Sequence, residues 1–224
     1  MGSEMCIRDR LLTTPFMCAA QFCGQEYGGR VSQIHEAARN LVGEHPRLVL
    51  TGSSSIRMWP RTDTVFSQFD VVNAGFGGSC FSDLWRLRDT LIYALRPDVL
   101  VVYEGDNDLS DGVPIAEIVD IANRLLDELS RRLPDTEVVV IAPKASLARG
   151  HLASTYLALN EQLRLIAMNH GVHWLDFWAV QHDANGKLRD ELFIHDQLHL
   201  NAEGYSVWVE ELRRQLPWLD PNVR

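Results

Sequence analysis

Apolar positions along this chain follow two alternating periods. Residues 31–42 place Val31, Ile34, Ala38, Leu41 and Val42 on one face of a helix. The next run, Arg47-Leu-Val-Leu-Thr51, is short, continuously apolar and stopped by Gly52, the mark of a strand buried on both faces. Residues 69–73 hold a second, shorter strand. Residues 81–95 read as a helix with Leu84, Leu87, Leu91 and Ile92 inward, ending before Arg96-Pro97 because a residue preceding proline avoids helical backbone. Asp98-Val-Leu-Val-Val-Tyr103 is the clearest buried strand. Residues 114–133 are the clearest helix, with Ile118, Ala122, Leu125, Leu129 and Leu133 in one stripe behind Pro114, a first-turn proline. A strand over 137–142, a helix over 152–169, a strand over 172–176 and a helix over 201–216, capped by Asn201, complete the pattern.

Strands this apolar, alternating with helices, require a parallel sheet covered by helices on both faces. The expected class is α/β with five parallel strands. No repeat, linker or shift in composition divides the chain, so one domain is expected over 30–224.

Composition narrows the partners. The formal charge of −9 argues against nucleic acid, whose phosphates need clustered Lys and Arg. Nothing approaches the ~20 consecutive apolar residues of a membrane span. Of four cysteines, Cys6, Cys18 and Cys23 sit near the start and Cys80 stands alone in the body. That spacing shows no disulfide framework or CxxC site and favours a reducing, cytoplasmic compartment. The start itself is suspect. Met5-Cys6-Ile7-Arg8-Asp9-Arg10 can be encoded by ATG TGT ATA AGA GAC AGx, which resembles the transposon end of sequencing-library adapters. Residues 1–29 are therefore expected to be an artefactual or poorly structured segment, joined to a truncated metagenomic reading frame whose native start is missing.

In such sheets ligands bind outside the carboxyl ends of the strands. There the sequence has Gly52-Ser53-Ser54-Ser55-Ile56 after strand one and Asn73-Ala-Gly-Phe-Gly-Gly-Ser79 after strand two. Glu104-Gly-Asp-Asn-Asp108 follows strand three, and Asp196-Gln-Leu-His199 comes after strand five across a long loop. Pro143-Lys-Ala-Ser146, after strand four, is less telling. A serine, flexible glycine backbone, a side-chain amide and an acid–histidine pair are the parts of nucleophilic acyl transfer. The serine needs a base, and a histidine titrates in the neutral range. Asp196 can turn back to the His199 ring and fix its tautomer. The tetrahedral oxyanion needs convergent donors, which backbone N–H groups near Gly78 and at the serine, with the Asn107 amide, can supply. From the residues alone, any of Ser53, Ser54 and Ser55 could be the nucleophile.

These four segments, in this order, resemble the blocks of the SGNH hydrolase superfamily, the GDSL-type esterases and lipases. Asn201-Ala-Glu-Gly-Tyr-Ser-Val-Trp208 is similar to the family's closing helix. The resemblance implies a flavodoxin-like, three-layer α/β/α sandwich and a serine esterase working without metal or cofactor. Its first block is usually Gly-Asp-Ser-Ile, so alignment on Gly52 makes Ser54 the nucleophile. Trp59 at its usual distance from that glycine agrees. Ser53 departs from the usual Asp. Block two selects Gly78 as the oxyanion glycine over Gly75 and Gly77. The implied set is Ser54, Asp196 and His199 in catalysis, with Ser54, Gly78 and Asn107 as the oxyanion hole. The family's substrates range from short-chain esters and carbohydrate acetates to lysophospholipids and thioesters; because no long apolar lid is visible in this sequence, a small carboxylic ester, short-chain or acetyl, is expected.

Other readings stand beside these. An O-acyltransferase would use the same acyl-enzyme with an alcohol acceptor, and a silent α/β module would bind without turnover. The glycine loop lacks GxGxxG spacing and a P-loop lysine, which counts against phosphate. His195 and His199 lack a third zinc ligand, and Asp106 and Asp108 lack further oxygen ligands for a divalent ion. Cys80 reads as a small packed residue, and His151, His170, His173 and His182 as surface. Arg57, Lys144 and Arg149 are weighed for an anionic substrate and read as structural or solvated. Trp59, Trp85, Trp174, Trp178 and Trp208 are weighed for an acyl pocket and read mostly as packing.

Overall fold

All five apolar runs pair into one sheet of strand order β2-β1-β3-β4-β5, every pairing parallel. In this computed structural model, which describes residues 24–41 and 43–220, the strands are β1 (Arg47–Gly52), β2 (Asp70–Asn73), β3 (Val99–Tyr103), β4 (Glu137–Ile141) and β5 (His173–Leu175). The central β3 is buried at all five positions, which is why its sequence is uninterrupted Val, Leu and Tyr. Successive residues face opposite sides. Leu100 and Val102 enter one core with helices α1 (Gly24–Arg39), α4 (Phe81–Leu91), α6 (Ile115–Arg132) and α7 (Ala153–Asn169). Val99, Val101 and Tyr103 enter the other core with α8 (Ala202–Gln215), the short α2 (Ser54–Arg57) and, through Val65, the short α3 (Thr62–Val65). Two cores on one sheet make the three-layer α/β/α sandwich.

Beyond shifts of one to three residues, two boundaries differ from expectation. The fourth helix stops at Leu91, and Tyr93–Leu95 form a single 3₁₀ turn. Arg96, next to Pro97, leaves the right-handed helical region for φ 50°. The first helix begins at Gly24, so the last six residues of the segment expected to be unstructured, 24–29, are helical. Arg30 anchors that helix by donating to the carbonyls of Asn73 (2.8 Å) and Gly75 (2.9 Å). The adapter-like stretch, Val42, Cys6, Cys18 and Cys23 lie outside the described residues.

Cys80 corrects the sequence reading. It is fully buried and held in a disulfide. Every other cysteine lies far earlier in the chain, so no short spacing signals a bridge. The compositional argument for a reducing compartment loses its basis.

The strand order places a topological switch point between β1 and β3. There the connections leave in opposite directions and open a crevice at the carboxyl ends. No helix among the described residues is long and apolar enough to cross a membrane.

Candidate active site

Backbone geometry builds the β1 side of the crevice. Gly52 has φ 141°, and a Cβ there would overlap the Tyr103 carbonyl, which Ser53 N–H bonds at 3.2 Å. The chain then turns into α2. Ser53 takes the N-cap position without a side-chain cap bond. Ser53 and Ser55 are buried, and Ser54 alone of the three is partly exposed. The Asn73 side chain ties the neighbouring loop to this turn, donating to Ile56 O (2.7 Å) and accepting from Gly75 N–H (3.0 Å). A Cβ at Gly75 would overlap the Arg57 backbone, so Gly75 serves close packing. Gly78 takes the left-handed conformation, φ 77°.

Opposite Ser54 lies the turn before α8. Ile194 N–H and Gln197 N–H close it by bonding His199 O and Ile194 O, both at 2.9 Å, and Gln197 adopts φ 57°. Asn201 caps α8 by accepting from Gly204 N–H at 3.0 Å, as its sequence position suggests. The turn brings His199 Nε2 to 2.8 Å from Ser54 Oγ and His199 Nδ1 to 2.6 Å from Asp196 Oδ2. Asp196 Oδ1 also accepts from the N–H groups of Leu198 (2.9 Å) and His199 (3.0 Å). Burial works to raise the Asp196 carboxyl, but these hydrogen bonds and the imidazole outweigh it and hold it well below the usual range.

Between β3 and α6, the short α5 (Asp106–Ser110) presents Asn107, which is partly exposed while Asp106 and Asp108 on either side are buried. Asn107 Nδ2 donates to Ser79 O at 2.9 Å, and its Oδ1 accepts from Arg149 Nη2 at 3.0 Å. An amide carries two N–H groups, so one Nδ2 hydrogen remains for a ligand. Asp108 accepts from the backbone N–H groups of Phe81 (3.1 Å) and Gly105 (3.1 Å), a structural role.

The structure thus brings Ser54, Asp196 and His199 together. His195 is exposed, and among the described residues no group of three or more His, Cys, Asp or Glu could hold a metal ion. The residues after β4, read from sequence as less telling, are part of the site. Lys144 is fully buried, and Arg149 bonds Asn107 directly. Trp59 and Trp208 are core residues, but Trp178 stacks on His182 and both line a cavity of about 240 Å³ with Ser146, Arg149, Tyr156 and Leu188. A signal for this existed: cationic Lys144 closely follows a buried strand, at the end of the sheet where Asp106 sits.

The model of the GDSL-like lipase/acylhydrolase family matches residues 26–207. The chain belongs to this family. Membership makes it a carboxylic ester hydrolase by class, in agreement with the four-block resemblance. The chain is similar to human platelet-activating factor acetylhydrolase IB subunit alpha1, with 26% identity over 190 residues covering 80% of this chain and 79% of the relative. Among solved structures, a GDSL-like lipase from Bacteroides thetaiotaomicron superposes with a TM-score of 0.69 at 15% identity, over 84% of this chain and 97% of that one. An acetylxylan esterase from Geobacillus stearothermophilus superposes with a TM-score of 0.63 at 16% identity, over 76% and 93% of the two chains.

Proposed function

We propose that this acylhydrolase is a serine esterase for short-chain carboxylic esters, acetyl esters above all, working through Ser54, His199 and Asp196. The observation that carries the reading is the 2.8 Å separation of His199 Nε2 from Ser54 Oγ, within range for direct proton transfer. Ser54 Oγ attacks the ester carbonyl while His199 Nε2 takes its proton. Asp196 keeps the Nδ1–H tautomer and stabilises the imidazolium. The N–H groups of Ser54 and Gly78 and the second Nδ2 hydrogen of Asn107 receive the oxyanion. Collapse of the intermediate breaks the ester C–O bond, and His199 returns the proton to the leaving alcohol. Water repeats the sequence on the acyl-enzyme and releases the acid. The preference for acetyl draws on the names of an acetylhydrolase and an acetylxylan esterase among the similar proteins, and on the modest cavity lined by Arg149, the hydrogen-bond partner of Asn107.

The test is hydrolysis of p-nitrophenyl esters from acetate to octanoate by wild type, Ser54→Ala and Ser55→Ala. Expected is a fall in kcat of about 10⁴-fold or more for Ser54→Ala alone, with acetate or butyrate turned over fastest. Full activity in Ser54→Ala would sink the mechanism, and a long-chain optimum would sink the substrate class.

A further inference from the structure

A lysine with no exposed side-chain surface is rare, because taking an ammonium out of water is costly unless it is paired and hydrogen-bonded. Lys144 is such a residue. Its Nζ donates to Leu198 O at 2.7 Å and faces Asp106 Oδ2 at 3.5 Å. Leu198 directly precedes His199, and its own N–H bonds Asp196. Asp106 directly precedes Asn107. Its carboxylate accepts from Tyr103 Oη at 3.0 Å, from Tyr156 Oη and from Arg149 Nη1. Arg149 Nη1 also bonds Asp106 O (2.9 Å), and Nη2 reaches Asn107 Oδ1 (3.0 Å). The same segment pairs Ala148 N–H with Gln197 O at 3.0 Å. One buried cluster therefore touches the residues next to both halves of the proposed machinery.

The chemistry of Asn107 gives this cluster a purpose. The two ends of a side-chain amide have nearly the same shape and opposite polarity. Turned one way, Asn107 offers N–H to an oxyanion; turned the other, it offers a carbonyl oxygen, which would repel the charge. Arg149 is a donor without acceptors, and Ser79 O is an acceptor without donors. Only one sense of the amide satisfies both.

We propose, on the esterase reading above, that Arg149 is a positioning residue. It fixes the sense of the Asn107 amide so that Nδ2 faces the oxyanion, and the buried Asp106–Lys144 pair ties Arg149 to the turn that carries His199. Because the amide acts on charge that develops in the transition state, the effect falls on kcat and leaves KM alone.

The experiment is a double-mutant cycle on p-nitrophenyl acetate. It compares wild type, Arg149→Met, Asn107→Ala and Asn107→Ala/Arg149→Met, with Arg149→Lys as the conservative variant and Ser54→Ala as the reference for the activity. Asn107→Ala should lower kcat about 10²–10³-fold, the loss of one oxyanion donor. Arg149→Met should lower kcat roughly 10- to 100-fold at a KM within about twofold, and Arg149→Lys should fall between it and wild type. Once Asn107 is gone, Arg149→Met should cost nothing more. Equal losses in both backgrounds would mean that Arg149 acts through something else and would overturn the proposal. So would a raised KM at unchanged kcat, which would make Arg149 a substrate contact in the cavity it lines. If Arg149→Met does not fold, Arg149→Lys keeps the charge beside Asp106 and carries the same cycle. Turnover that survives Ser54→Ala would remove the esterase reading itself, an outcome distinct from additivity.

Discussion

Asp106 and Asp108 flank Asn107, and both are almost wholly buried, at 4% and 1% exposure. Their surroundings differ completely. Burial would raise the Asp106 carboxyl, but Lys144, Arg149 and the Tyr156 hydroxyl outweigh it and bring it down to about 2. Among the described residues, no Lys, Arg or His forms an ion pair with Asp108. Burial pushes it up to about 7 against the N–H groups of Phe81 and Gly105, with Asp83 adding to the rise. Burial alone therefore does not decide the state of a carboxyl here; the partner does. One flank of Asn107 is held by fixed charge reaching to the loop after β4. The other is held by backbone donors, one of them at the start of α4.

The sharpest way to break this comparison is to remove each charge in turn. Asp106→Asn leaves Lys144 and Arg149 buried without a counter-charge, a loss of about 3–5 kcal/mol. Asp108→Asn removes a group that is already half neutral near pH 7 and retains one acceptor oxygen, so about 1–2 kcal/mol is expected. Thermal melts of the two variants decide it: the Tm of Asp106→Asn should fall by roughly 10 °C, several times the fall for Asp108→Asn. Equal losses would mean that the cations are not what holds Asp106.

The same contrast separates what the sequence could disclose from what it could not. β1, β3 and β4 were legible because a strand buried on both faces must be a continuous apolar run. The start of α1 was not, because Gly24-Gln-Glu-Tyr-Gly-Gly29 carries no apolar period. On the candidate site, the serine run was legible from its place after β1 and Ser54 within it from the family resemblance, while the Asp196–His199 pair, a long loop after β5, was legible as an acid three residues before a histidine. Asp106 and Asp108 looked alike, two acids in one block, and nothing local says which one meets a cation. Lys144 and Arg149 read as structural or solvated, and nothing local chooses between the two, because lysine and arginine are usually exposed. Their burial arises only when the ends of β3 and β4 and the turn before α8 meet, three segments far apart in the chain.

A second test uses pH. Asp108 binds its proton more tightly folded than unfolded. Its contribution to stability is present below the unfolded value near 3.8 and is lost as pH rises through about 7. Asp106 runs the other way: its contribution is present above the unfolded value and is lost only as pH falls toward about 2. Between pH 5 and 8 the Asp106 flank is therefore silent while the Asp108 flank titrates. Across that window Asp108 should lower wild-type stability by at most ~1.4 kcal/mol per pH unit, and Asp108→Asn should remove that share of the slope, leaving what Glu104, raised in the same direction, contributes. A profile identical in wild type and variant would place the titration elsewhere.

The smallest expected effect probes the uncharged flank further down. Glu104 is fully buried, and burial first, then Asp108 beside it, pushes its carboxyl well above the usual range. The hydrogen bonds agree with this. Ser79 Oγ lies 2.7 Å from Glu104 Oε1 and 3.2 Å from Phe76 O, and a single hydroxyl hydrogen cannot serve both. A protonated Glu104 supplies the second hydrogen. Glutamine has nearly the same shape and offers an N–H in that place, so Glu104→Gln should change stability by less than about 1 kcal/mol and leave kcat within about twofold. Because Ser79 also holds Asn107 through its carbonyl, an ionised Glu104 would be felt in both measurements. A loss of about 3 kcal/mol or more on Glu104→Gln would mean that this carboxylate is charged and paired. The contrast between the two flanks of Asn107 would then be one of which cation, not of charge against its absence.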